Sequence, residues 1–184
     1  MTRVILVGPP GAGKGTQAAV LSKELGVPHI STGELFRAHV ERETELGRQV
    51  KCYLDAGKLV PDELTNEVVR ERIAELDAEK GFLLDGFPRN TGQADVLAEM
   101  LAEQGTKIDT VLEFDAPERE LVRRLLARGR SDDNDGVISE RQQIYRSETA
   151  PLLDYYVDVL VRVDAVGDVD EISSRALKAL RDHE

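Results

Sequence analysis

The chain is poor in cysteine, in positive charge and in long apolar runs, and each shortage removes a class of protein. Its 184 residues include 1 cysteine. Cys52 can therefore form neither an intramolecular disulfide nor a thiolate cage for zinc, so neither zinc nor an oxidising compartment is expected. Its expected place is half-buried, as a small apolar residue. Lys and Arg number 24 against 35 Asp and Glu, leaving a net charge of −11. Such a surface repels polyanions, so nucleic acid is not an expected partner and any anion site must be a local basic pocket. No apolar run is long enough to span a bilayer, and the N-terminus opens a strand instead of a basic, apolar and small-residue leader, so a soluble cytoplasmic protein with no membrane partner is expected. Internal repeats and low-complexity tracts are absent, and the lack of an exposed apolar heptad points to a monomer.

What remains is a globular composition, 41% hydrophobic and 32% charged, of a length that suits one domain over 1–184. Its most informative stretch is residues 8–16, Gly-Pro-Pro-Gly-Ala-Gly-Lys-Gly-Thr, directly behind the apolar run Val4-Ile5-Leu6-Val7. Small residues let successive backbone N–H groups turn onto an anion, the following helix offers its positive end, and Lys14 adds a full charge. Phosphate is the expected ligand. Gly15 stands where a Ser or Thr normally follows the lysine, and the hydroxyl arrives one residue later at Thr16.

Strand-like runs near residues 4, 29, 82, 111 and 160 are separated mostly by helical periodicity. That alternation predicts an α/β fold with a five-stranded parallel sheet flanked by helices, and the phosphate loop at its first strand makes it resemble a P-loop NTPase-type three-layer sandwich. Pro61-Asp62 is expected to start a helix with a face of Leu64, Val68, Ile73 and Leu76, and further helical faces are expected from Ala94, Leu97, Ala98 and Leu101, and from Leu121, Val122, Leu125 and Leu126. Ser31 is expected to cap one helix and Ser139 another, while Pro151 kinks or restarts the chain. Residues 131–136 read as a compact polar loop. Ligands of such sheets bind at the carboxy ends of the strands, where residues 8–16 and 85–89 both fall.

Asp85 closes an apolar strand in the manner of an acid that holds magnesium through water, and the Thr16 hydroxyl can serve the same ion. Arg37, Arg89, Arg124, Arg128, Arg130 and Arg141 lie in or beside loops at the expected site. Six planar donors in an acidic protein exceed what one triphosphate needs, so two phosphorylated ligands are expected. The histidines at 29, 39 and 183 have no evident partner and no general base stands out. A phosphate acceptor needs none, because its second ionisation lies near neutrality.

These motifs together resemble the nucleoside monophosphate kinases, and most closely adenylate kinases of the short-lid type. The resemblance is carried by residues 8–16, Ser31-Thr32-Gly33, Gly57-Lys58-Leu59-Val60, Asp85-Gly86-Phe87-Pro88-Arg89 and the stretch 128–141. The family's loop also reads Gly-Lys-Gly-Thr, which accounts for Gly15. The resemblance implies that Gly11, Ala12, Gly13, Lys14, Gly15 and Thr16 hold ATP phosphates. It implies that Thr32, Gly33, Arg37, Lys58, Leu59, Val60, Gly86, Phe87, Pro88, Arg89 and Gln93 hold AMP. By the same resemblance Arg124 packs near the ATP adenine, Arg128 reaches ATP phosphate, Arg130 and Arg141 bridge toward AMP, and backbone near Gly167 touches the ATP base. Lys14 and the arginines at 89, 124, 128, 130 and 141 are the implied catalytic set, with Mg2+ as cofactor and ATP, AMP and ADP as small-molecule partners. The implied division is a core of 1–30, 61–127 and 139–184, an AMP-binding helical insert at 31–60 and a lid loop at 128–138.

A UMP/CMP kinase shares the fold, the loop and the short lid. Gln93 and Thr32 favour AMP, because an amide can pair with an adenine edge and pyrimidine kinases of this kind carry Ala and Asn at those places. A nucleotide-switch GTPase or a non-catalytic P-loop module is a different class. Thr106-Lys107-Ile108-Asp109 superficially mimics a guanine-reading motif, but it precedes its strand and so falls at the wrong end of the sheet. The reading carried forward is reversible transfer from MgATP to AMP giving two ADP, a step in adenine nucleotide homeostasis.

Overall fold

The computed structural model describes residues 2–131 and 133–183. Five parallel strands form one sheet: β1 (Thr2–Val7), β2 (His29–Ser31), β3 (Gly81–Asp85), β4 (Thr110–Asp115) and β5 (Leu160–Asp164), in the order β2-β3-β1-β4-β5. Strand β1 is central, and the connections run to one side of it first and to the other side later, so the crevice opens at its carboxy end. Register brings the right residues there: Leu6 pairs with Asp85, Ser31 with Asp85, and Val7 with Glu113.

Helices α1 (Lys14–Leu25), α6 (Glu118–Arg128) and α9 (Val169–His183) cover one face, while α4 (Asp62–Ile73), α5 (Thr91–Glu103) and α8 (Leu152–Tyr155) cover the other. Successive strand residues point to opposite faces, so with both faces covered the strands read as unbroken apolar runs. Val4, Leu6, Leu83 and Leu112 pack in one core, and Ile5, Val7, Leu84 and Val111 in the other.

Between β2 and α4 lies the helical insert, α2 (Thr32–Glu41) and α3 (Glu45–Asp55), with a small core of its own built on Phe36, Val50 and Val60. Ser31 caps α2 by accepting from the Glu34 amide at 3.3 Å, and Thr44 caps α3 through the Gly47 amide at 3.0 Å. Gly47 is obligatory for the packing of the pair, because a Cβ there would stand 2.1 Å from the His39 carbonyl oxygen.

Several sequence expectations are corrected. Leu76 is 84% exposed, because α4 ends at Ile73 and the following 3-10 turn buries Ala78 instead. Ala98 faces water while Met100 is buried, and Leu126 is 52% exposed beside a buried Leu125, about 100° away round the helix. Helix α7 (Asp135–Ile144) is capped by Asn134, whose side-chain oxygen accepts from the Val137 amide at 3.1 Å. Ser139 therefore lies inside α7, because Asn134 offers the cap earlier. Asp132 of the polar loop lies outside the described residues. Pro151 does restart the chain: α7 gives way to a π-turn over Tyr145–Thr149, and Pro151 then stands at the N-cap of α8. Cys52 is exposed, since it sits on the outer side of the amphipathic α3. Among the described residues no helix is long and apolar enough to cross a membrane.

Candidate functional site

The loop after β1 is shaped by close backbone approaches. A Cβ at Gly8 would lie 2.7 Å from the Phe114 carbonyl oxygen, and one at Gly11, where φ is +87°, would lie 2.5 Å from that of Leu121. Gly13 is the N-cap of α1 and contributes no side chain, so the first-turn amides of that helix have no side-chain cap. Lys14 folds back over the loop, its Nζ donating to the Gly8 carbonyl at 2.7 Å and to that of Pro9 at 3.3 Å. Burial lowers the Lys14 amine to about 8; Asp85 opposes the shift, and Arg89 and Arg128 add to it. A bound phosphate would restore the missing counter-charge.

Asp85, at the end of β3, is buried beside this lysine. Burial alone would raise its carboxyl, but the hydrogen bond from His29 and the charges of Lys14, His29 and Arg89 hold it below the ordinary carboxylate range. The expectation that the histidines lack partners is corrected by this contact: His29 Nε2 is 3.3 Å from Asp85 Oδ2, and His39 Nδ1 is 3.0 Å from Thr44 Oγ1. The carboxylate reaches the loop, since its Oδ2 lies 3.6 Å from where a Cβ of Gly15 would stand. An ionised carboxylate facing the Thr16-bearing turn is a hard oxygen donor set of the kind magnesium takes.

A cavity of about 620 Å³ opens here. Gly11, Gly13, Lys14, Gly15 and Thr16 form one wall; Gly33, Lys58 and Leu59 of the insert form another; Asp85, Gly86 and Pro88 lie at the floor. All six arginines expected at the site, Arg37, Arg89, Arg124, Arg128, Arg130 and Arg141, line it. Thr32, Val60 and Gln93 line an adjoining side cavity of about 30 Å³ between the insert and the turn after β3. Ala12 and Phe87 line neither cavity and are buried beneath the loops they belong to. Gly167, in the loop after β5, also lies outside both.

The arginines are held in different ways. Arg124 donates to the Ala165 carbonyl at 2.7 Å and the Ala12 carbonyl at 3.4 Å, tying α6 to the phosphate loop and to the loop after β5. Arg128 grips Asp133 through two bonds of 2.8 and 2.6 Å, and Arg141 reaches the same carboxylate at 3.4 Å. The Arg130 amide donates to it as well, at 3.0 Å. The Asp133 side chain is 0% exposed. Burial would raise its carboxyl, yet the Arg128 bonds, the Arg130 amide and the charge of Arg141 keep it low. Arg89 donates its Nε to the Gly86 carbonyl at 2.8 Å and is half-buried, and the desolvation lowers its guanidinium. The Arg37 guanidinium lies over Gly33, where a Cβ would meet it at 3.1 Å. Gly86 has φ +84°, and a Cβ there would stand 2.8 Å from Thr32 Oγ1, whose hydroxyl donates to the Gly86 carbonyl at 2.9 Å.

Gln93 is 2% exposed and its amide is already engaged: Oε1 accepts from the Arg89 amide at 2.7 Å, and Nε2 donates to Asp62 Oδ1 at 2.9 Å. Sequence reasoning missed Asp133 and Asp62, both taken for ordinary loop and helix-start acids. It also missed Gln142, which donates to the Pro10 carbonyl at 3.0 Å and braces the phosphate loop from α7. No local pattern marks these three. The guanine-reading mimic at 106–109 lies at the opposite end of the sheet as expected, where the Asp109 carboxylate accepts from the Arg3 amide at 2.8 Å.

Comparison with known proteins agrees with this geometry. Residues 6–160 match the family described as Adenylate kinase. An adenylate kinase of Mycolicibacterium paratuberculosis is 62% identical over 178 residues, covering 97% of this chain and 98% of the relative. Those of Mycobacteroides abscessus and Nocardia farcinica are 58% and 56% identical over the same span and the same shares.

Proposed function

The chain belongs to the adenylate kinase family and is an ATP:AMP phosphotransferase, and from that premise we propose how its own residues divide the reaction. The observation that carries the division is a single cavity with the phosphate loop on one wall, the helical insert on the other and six arginines between them. Gly11, Gly13, Lys14, Gly15 and Thr16 hold the ATP phosphates, with Ala12 packed beneath them to set their path. Lys14 lays its positive charge against those phosphates and follows the transferred group. Arg128, Arg130 and Arg141 close over the transferring phosphoryl from the lid side, while Arg37 and Arg89 hold the AMP phosphate from the other. Arg124 keeps the loop beneath the ATP base in place, with Gly167 nearby.

The acceptor oxygen is an ionised phosphate, so the reaction runs by positioning and charge neutralisation without a side-chain base. Thr16 and Asp85, through water, would hold Mg2+, which would supply charge neutralisation on the donor phosphates. Thr32, Lys58, Leu59, Val60, Pro88 and Gln93 form the acceptor end, with Phe87 packed beneath the turn to set its path and Gln93 reading the adenine edge. The side cavity between insert and core has room for about one water, so the insert swings outward to admit a base. The lid is the short stretch 128–138, and the enzyme works as a cytoplasmic monomer.

A coupled assay for ADP, with ATP and magnesium and with AMP, CMP, UMP and GMP offered in parallel, tests this reading. AMP is expected to be preferred. Preference for CMP or UMP would move the chain to the pyrimidine kinases.

A further inference from the structure

A glutamine by itself is a poor reader of purines. Turned one way it presents an acceptor to an exocyclic amine and a donor to a ring nitrogen; turned over, it presents the reverse and fits an oxo base equally well. Gln93 is not free to turn. The Arg89 backbone N–H, 2.7 Å from Oε1, can only donate, and the Asp62 carboxylate, 2.9 Å from Nε2, can only accept. A flipped amide would set oxygen against carboxylate and NH2 against N–H, two repulsive contacts within the buried surroundings of Gln93. The Asn90 side chain steadies the arrangement, donating to the same Asp62 oxygen at 3.1 Å and accepting from the Gln93 amide N–H at 2.8 Å.

We propose that Asp62 is a specificity-determining positioning residue: with the Arg89 amide it locks the Gln93 carboxamide in the one orientation that accepts 6-amino purines and rejects 6-oxo purines. With one Oε1 lone pair and one Nε2 hydrogen committed, an acceptor and a donor remain for a base in the side cavity that Gln93 lines. Adenine offers the complement, an amine beside an unprotonated ring nitrogen. Hypoxanthine offers an oxygen beside a protonated nitrogen and meets two mismatches. Specificity then arises as much from what Asp62 forbids as from what Gln93 attracts. The inference rests on Gln93 reading the base.

The test uses AMP and IMP, which differ at position 6 of the base, as acceptors for the full enzyme and for Asp62→Asn, Asp62→Ala and Gln93→Ala. Asp62 is exposed, so both substitutions leave the fold standing, and thermal melting checks this. Asn accepts either amide orientation and Ala enforces neither. Both are expected to lower the ratio of kcat/KM for AMP over IMP about tenfold or more, through opposite changes in acceptor KM, while KM for ATP holds. If both Asp62 variants keep the wild-type ratio and Gln93→Ala loses it, the Arg89 amide alone orients Gln93 and the role given to Asp62 is wrong. If Gln93→Ala also keeps the ratio, the assignment of Gln93 as base reader falls, and the lock with it.

Discussion

The phosphate loop and the helical insert face each other across one cavity, yet they are held by different means. The loop is continuous with the central strand, is wedged by Gly8 and Gly11 against the carbonyls of Phe114 and Leu121, and is braced by Gln142 and Arg124. The insert stands on a minor core of its own, Phe36, Val50 and Val60, which leans on Leu64 and Val68 of α4. The contrast teaches that donor and acceptor place opposite demands on the same fold. Stabilising a transferring phosphoryl needs charges fixed in advance, whereas the acceptor must enter and leave, which calls for an element of low local stability.

The sharpest way to break the comparison is through charge. Lys14→Ala and Arg89→Ala are expected to cut kcat by about 10³ or more with melting temperatures little changed, since each removes a cation aimed at the transferred group. Wild-type turnover in either would strike that residue from the site. Stability comes next. Leu84→Ala, in the sheet core, should cost about 3–5 kcal/mol of global unfolding free energy in denaturant titration. Val50→Ala should cost about 2 kcal/mol, and should speed hydrogen exchange in α2 and α3 while the sheet amides stay protected. Equal acceleration in sheet and insert would show that the two regions unfold together.

A pH experiment sharpens the electrostatic half. The Lys14 amine is lowered to about 8 by burial, so between that pH and its unfolded value the unfolded chain binds the extra proton and stability rises with pH. Lys14→Met removes the buried charge. The stability difference between this variant and the wild type should shift in favour of the wild type by about 2 kcal/mol from pH 7.5 to 9.5, measured by denaturant unfolding without nucleotide. A flat difference would mean that the amine keeps its ordinary affinity for protons. The smallest effect is expected outside both regions' cores, where Cys52→Ser on the exposed side of α3 should change stability by no more than about 0.5 kcal/mol and leave turnover as it is.

Much of this was readable before any coordinates. The phosphate loop announces itself because its glycines, lysine and threonine are contiguous, and the capping Ser31 does so because its bond to Glu34 is local. What escaped was set by distance along the chain. Asp133 read as loop, yet its buried carboxylate organises Arg128, the Arg130 amide and Arg141. Asp62 read as a helix start, yet it holds Gln93, 31 positions away. His29 read as partnerless because Asp85, its partner, lies 56 positions on, in a strand that pairs with its own.

The sequence by itself determined the alternating elements, the parallel sheet and the contiguous phosphate loop, because hydrophobic periodicity and glycine conformation are properties of neighbours in the chain. Only the tertiary structure decided which acids face which arginines, how the Gln93 amide is turned and which of several apolar faces is buried. Those depend on strand order and on the angle at which each helix meets the sheet, and burial in that arrangement also sets the low proton affinity of Lys14.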